Sequence, residues 1–236
     1  TVTSGTNYLT GYSFSISNGT NTLTSLGGSN PVTITGGTTT ITTANGNSHI
    51  TGNAITISSN AGKAYFTGNS ATITNASAGD IFITGNTSTV TNANGGRIFI
   101  TGHSASLATA QGTVNITGKQ VTITTASATV NISGGNGCNN TVTTANGKVV
   151  MTGTNTVTTA NDTVYVSGIN TITNASGIVN ASGVNTVTTA NNTVYVSGIN
   201  TITTANGTVY VTGHANTITT AQGTANLSGT NTVTTA

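Results

Sequence analysis

A fifteen-residue string recurs almost unchanged in the second half of the chain. It reads Asn161-Asp-Thr-Val-Tyr-Val-Ser-Gly-Ile-Asn-Thr-Ile-Thr-Asn-Ala175 and returns as Asn191-Asn-Thr-Val-Tyr-Val-Ser-Gly-Ile-Asn-Thr-Ile-Thr-Thr-Ala205. Followed by its Thr-x-Thr element, the unit begins at positions 22, 40, 56, 72, 89, 106, 122, 141, 156, 171, 186, 201, 217 and 232. A unit this short cannot bury its own apolar face, so copies must stack on one another. The N-terminal copies are the most worn. Residues 1–39 therefore read as a cap with degenerate first coils, and 40–236 as the regular repeats.

Each unit holds two segments of period-two alternation, such as Val164-Tyr165-Val166 and Thr171-Ile172-Thr173. That period is the mark of a strand with one buried face. A Gly follows the first segment (Gly52, Gly68, Gly85, Gly102, Gly153, Gly168, Gly183, Gly198, Gly213 and Gly229 among them). It reads as a corner where positive φ is needed. An Ala-Asn-Gly or Ala-Gln-Gly stretch supplies the other corner. The expected fold is an all-β, two-sheet β-solenoid of about fourteen coils with a 15–16 residue repeat, each coil adding about 4.8 Å. Ala145, Ala160, Ala175, Ala190, Ala205 and Ala221 fill one corner, while Asn140, Asn155, Asn170, Asn185, Asn200, Asn216 and Asn231 form a column expected to bond amide to amide.

Composition narrows the function. Of 236 residues only six are charged: Lys63, Arg97, Lys119, Lys148, Asp80 and Asp162, whereas 59 are Thr and 32 Asn. Phosphate binding needs clustered cations, so nucleic acid is not an expected partner. No run of about 18 apolar residues predicts membrane insertion. Asp80 and Asp162 fall five coils apart, and His49, His103 and His214 are dispersed, so neither a carboxylate pair nor a metal site is expected. The chain reads as non-enzymatic, with no cofactor. Cys138 stands alone in the longest insertion and reads as a buried or idle thiol, with an intermolecular disulfide as the alternative. Stacking also explains the missing charges, because a charged column would repel itself at every coil.

Function is then expected on the outward faces. The second segment presents Thr at both outward positions in most copies, including Thr122, Thr124, Thr141, Thr143, Thr156, Thr158, Thr171, Thr173, Thr186, Thr188, Thr201, Thr203, Thr217 and Thr219. Such a flat grid resembles the Thr-x-Thr solenoids among ice-binding proteins, although a disulfide ladder is absent. That resemblance implies a face that orders water in a lattice matching ice. The whole also resembles secreted bacterial Thr/Asn/Gly-rich solenoids. The first segment aims Tyr65, Phe82, Phe99, Tyr165, Tyr195 and Tyr210 at solvent, a patch suited to lateral contact with another chain or with sugar rings, or to stacking that only steadies the coils. Asn115, Asn131, Asn180 and Asn226 match the N-glycan sequon, a match the repeat makes almost automatic.

The ends complete the reading. Thr1, Val2 and Thr3 resemble a strand, and Thr232, Val233 and Thr234 belong to a full repeat. Edges of this kind are expected to meet head to tail, and a non-closing contact builds filaments. The leading expectation is a secreted, extracellular or cell-surface filament subunit whose principal partner is itself. The alternatives are a soluble ice-binding protein and an adhesin stalk or phage-fibre segment, with glycans or ice as partners.

Overall fold

The computed structural model describes residues 6–11, 15–17, 19–26, 32–44, 47–76, 79–94, 96–134 and 137–235. Thr1, Val2 and Thr3, one half of the expected axial contact, lie outside the described residues. The chain divides into two compact units, Thr1–Gly118 and Lys119–Ala236. Each is a parallel β-solenoid with no helix among the described residues, and the turns number about 12, close to the expected fourteen.

The first unit holds β1 (Thr6–Gly11), β2 (Ser15–Ser17), β3 (Thr20–Leu26), β4 (Val32–Thr35), β5 (Thr38–Ala44), β6 (Ser48–Asn60), β7 (Ala64–Ala76), β8 (Ile81–Ala93), β9 (Ile98–Ala110) and β10 (Val114–Thr117). The second holds β11 (Gln120–Ala126), β12 (Val130–Ser133), β13 (Asn139–Ala145), β14 (Val149–Ala160), β15 (Val164–Ala175), β16 (Val179–Ala190), β17 (Val194–Ala205), β18 (Val209–Ala221) and β19 (Ala225–Thr235). All fourteen Thr-x-Thr elements fall on strands. Pairing is parallel and in register, so Val164 pairs with Val179 and Val179 with Val194, fifteen residues on each time.

The sequence pattern anticipates two strands per coil, separated by a glycine corner. In β6–β9 and β14–β19 the structure instead runs one strand through that corner, because the glycines themselves pair from coil to coil. The alternation still sets the core. In β15, Val164, Val166, Ile172 and Ala175 are buried while Tyr165, Thr171 and Thr173 are exposed. The Ala corner is filled as expected, with Ala145, Ala160, Ala175 and Ala190 fully buried.

The glycine column divides by backbone conformation. Gly153, Gly168, Gly183, Gly198 and Gly229 take φ between 99° and 122°. Gly52, Gly68, Gly85, Gly102 and Gly213 do not occupy that region. Close approach constrains both sets, since a Cβ at Gly68 would fall on the carbonyl oxygen of Gly52 and one at Gly168 on that of Gly153. The expectation of positive φ at every corner is corrected accordingly. In these ten corners the difference follows chain length. One residue separates Gly168 from the next buried position (Asn170), whereas two separate Gly68 from Ala71. The shorter arm turns more sharply and needs the left-handed backbone.

Candidate functional site

The Thr face is laid out as the pattern implies. Thr122, Thr141, Thr156, Thr171, Thr186, Thr201 and Thr217 align by direct strand pairing into one column. Thr141 and Thr156 are half-buried and the other five are exposed. Thr124, Thr143, Thr158, Thr173, Thr188, Thr203 and Thr219 occupy the second outward position and are all exposed. The spacing is about 6.7 Å across a coil and about 4.8 Å between coils. Both columns stand on the outer side of buried Val142, Val157, Ile172, Val187, Ile202 and Ile218, so side-chain packing beneath holds the face in place.

The other outward face carries rings. In the first unit His49, Tyr65, Phe82 and Phe99 stack in succession, with centroids 4.6, 4.8 and 4.9 Å apart and planes within 13° of parallel. In the second unit the same position holds Val150, Tyr165, Asn180, Tyr195, Tyr210 and Asn226. Only Tyr195 and Tyr210 are in direct stacking contact there, at 4.8 Å and 7°. The Tyr rings are exposed, and Phe82 and Phe99 are half-buried. Thus both functions considered for this column share one geometry: the rings brace successive coils and still present their edges to solvent. A groove of about 450 Å³ runs along the second unit's ring column beside Ser167, Ser182 and Ser197. Of the four sequon Asn residues, Asn115, Asn131 and Asn180 are half-buried and Asn226 is exposed.

The Asn column is internal. Asn140, Asn155, Asn170, Asn185, Asn200 and Asn216 are each at most 3% exposed. Each donates to the side-chain oxygen of the next, from Asn140 to Asn231, at 2.7–2.8 Å. The same Nδ2 groups also donate to backbone carbonyls, as Asn170 does to Ser182 at 2.9 Å. The column therefore satisfies buried polar backbone at the tight corner and does not open to a ligand. Two exposed amide pairs stand at the other corner: Asn161 donates to Asn146 at 2.7 Å and Asn206 to Asn191 at 2.9 Å, with Ser176 between the pairs. The signal is Asn after Ala at adjacent corners (Asn146 and Asn161, Asn191 and Asn206).

Four of the six charged side chains make local contacts. Arg97 donates to Asp80 with Nη2 to Oδ2 at 2.7 Å, and this pairing holds the Asp80 carboxyl below its ordinary pKa and raises that of Arg97. Asp162 accepts from the backbone N–H of its neighbour Thr163 at 2.7 Å. Lys148 lies over the Tyr165 ring at 5.2 Å. Cys138 is a free, buried thiol. Among the described residues no three His, Cys, Asp or Glu side chains converge as a metal would need, and no helix is long and apolar enough to cross a membrane. Thr232, Val233 and Thr234 lie on β19 and are exposed. No family model, curated protein or solved structure matches the chain.

Proposed function

We propose that the chain is a non-catalytic structural protein that extends by coil-on-coil addition into an extracellular filament. One observation carries this reading: the coils are interchangeable. Along β14, β15, β16 and β17 each residue pairs with its equivalent fifteen positions later, Val on Val, Gly on Gly, Asn on Asn and Thr on Thr or Ile on Val. Any coil edge is thus a template for a coil of a second copy, and a heterologous contact of that kind does not close. β19 carries the same pattern. A coil laid on such an edge would bury its Val and Ile column and pair backbone groups together, as Ile218 is 1% exposed where β19 covers it. Six charges in 236 residues leave little repulsion to oppose this. Electron microscopy and sedimentation of the 1–236 chain test the reading. Rods longer than one chain are expected, and Val233→Pro should shorten them by removing a ladder donor. Discrete monomers at high concentration would overturn it.

A second reading rests on a different observation, the two in-register columns of exposed Thr. We infer that this flat, uncharged grid is suited to ordering water as an ice-binding face. Thermal hysteresis is its test. Activity in the unmutated chain that disappears on replacing Thr158, Thr173 and Thr188 with Tyr supports it, and no activity in the unmutated chain dismisses it.

A further inference from the structure

The ring column of the second unit has a missing member. Tyr165, Asn180 and Tyr195 are direct strand-pairing partners on successive coils, and Tyr210 follows. Where adjacent coils both carry a ring, the rings lie nearly parallel at 4.8 Å. The first unit shows that this face accepts one ring on every coil, through four coils without a break. At Asn180 the short amide reaches only the inner part of the ring position and leaves its outer part open. Tyr165 and Tyr195 therefore stand two coils apart, about 9.6 Å, with space between them for one ring at the ladder's own spacing. The groove of about 450 Å³ includes this gap, and its size is that of a small-molecule site. Tyr165 and Tyr195 are 41% and 44% exposed, so the walls are open to an incoming molecule.

We propose that the gap between Tyr165 and Tyr195 binds a flat aromatic small molecule, which completes the ladder above Asn180. Two ring faces favour a planar π-system over a saturated ring of similar bulk, because offset stacking adds to plain area burial. Asn180 and Ser182 supply polar groups at the rim, which suits a ring bearing a hydroxyl. This site does not depend on the filament reading, since it needs one chain only.

The test uses 2-naphthol, flat and hydroxylated, against decahydro-2-naphthol, its saturated counterpart. Calorimetric titration of the full chain should show one 2-naphthol site. Asn180→Tyr places in the gap the residue that β15, β17 and β18 carry at the same register, and should weaken binding about tenfold or more. Tyr165→Asn removes one wall and should weaken it similarly, with unchanged circular dichroism in both variants. Equal binding of the two naphthol derivatives, or unchanged binding in Asn180→Tyr, would overturn the proposal. So would 2-naphthol dissociating a preformed oligomer in sedimentation, because the gap would then belong to a Tyr of a second copy.

Discussion

The two units solve the same corner differently. In β6–β9 of the first, two residues lie between the corner glycine and the next buried position, which is filled by Ile55, Ala71, Ser88 and Ala105 in successive coils. In the second, one residue intervenes in most coils, the glycine takes positive φ, and Asn fills the buried position. β18 is informative because it mixes the two. His214 and Ala215 make its arm two residues long, Gly213 leaves the positive-φ region, and the register shifts there against both neighbours, yet Asn216 keeps its place in the amide column. In β6–β9 and β14–β19 the glycine conformation follows arm length, whereas Gly36 has positive φ with a two-residue arm to the buried Thr39. The buried amide is needed where the tight turn directs carbonyls such as Ser182 O and Ser197 O inward.

That contrast can be broken by substitution. Asn185→Ala removes the acceptor used by Asn170, the donor used by Asn200 and the amide that satisfies Ser197. At about 1–3 kcal/mol for each buried group left unpaired, the loss should reach about 3 kcal/mol or more, read as the urea midpoint. Ser88→Ala at the matching place of the first unit should be neutral or slightly stabilising, because the Ser88 hydroxyl is buried without a partner. Equal costs at the two positions would show that the amide column has no special role.

Arm length can be tested by deletion. Removing His214 gives β18 the same arm as β17 and should change stability by less than about 0.5 kcal/mol. Removing Asn69 imposes the tight corner on a coil whose buried residue, Ala71, has no amide to offer, and should cost about 2 kcal/mol. If both deletions cost the same, the rule linking arm length to the buried residue fails.

The smallest effect is electrostatic and belongs to the first unit. The Arg97 hydrogen bonds lower the Asp80 pKa, so the pair's contribution is present above the ordinary carboxylate value and is lost as the pH falls through the lowered one. Both groups reach solvent, so the shift in urea midpoint between pH 6 and pH 2 should be small. Arg97→Gln should remove that component of the pH dependence and Lys63→Gln should leave most of it.

Much of this was legible in the residues. Val164, Val166 and Ile172 alternate with Tyr165, Thr171 and Thr173, and that alternation alone assigns the inner and outer faces. The Asn column was readable because identical residues recur at identical offsets. The conformation of each glycine was not, since Gly68 and Gly168 look alike until the number of residues to the next buried position is counted. The gap at Asn180 was hidden for a related reason. As a sequon the residue reads as a modification site, and only its alignment between Tyr165 and Tyr195 shows it as an absent ring.

The amide column has one further consequence. Every Nδ2 in it points toward the C-terminal neighbour and every Oδ1 toward the N-terminal one, over six consecutive bonds. The dipoles add head to tail as peptide dipoles do in a helix, and each bond polarises the next. The column begins at Asn140, whose Oδ1 is buried without a partner above the apolar Val121, so the oxygen end faces N-terminally. The second unit is therefore a polar object in the electrical sense, its core an aligned wire of amides with opposite partial charge at its two ends.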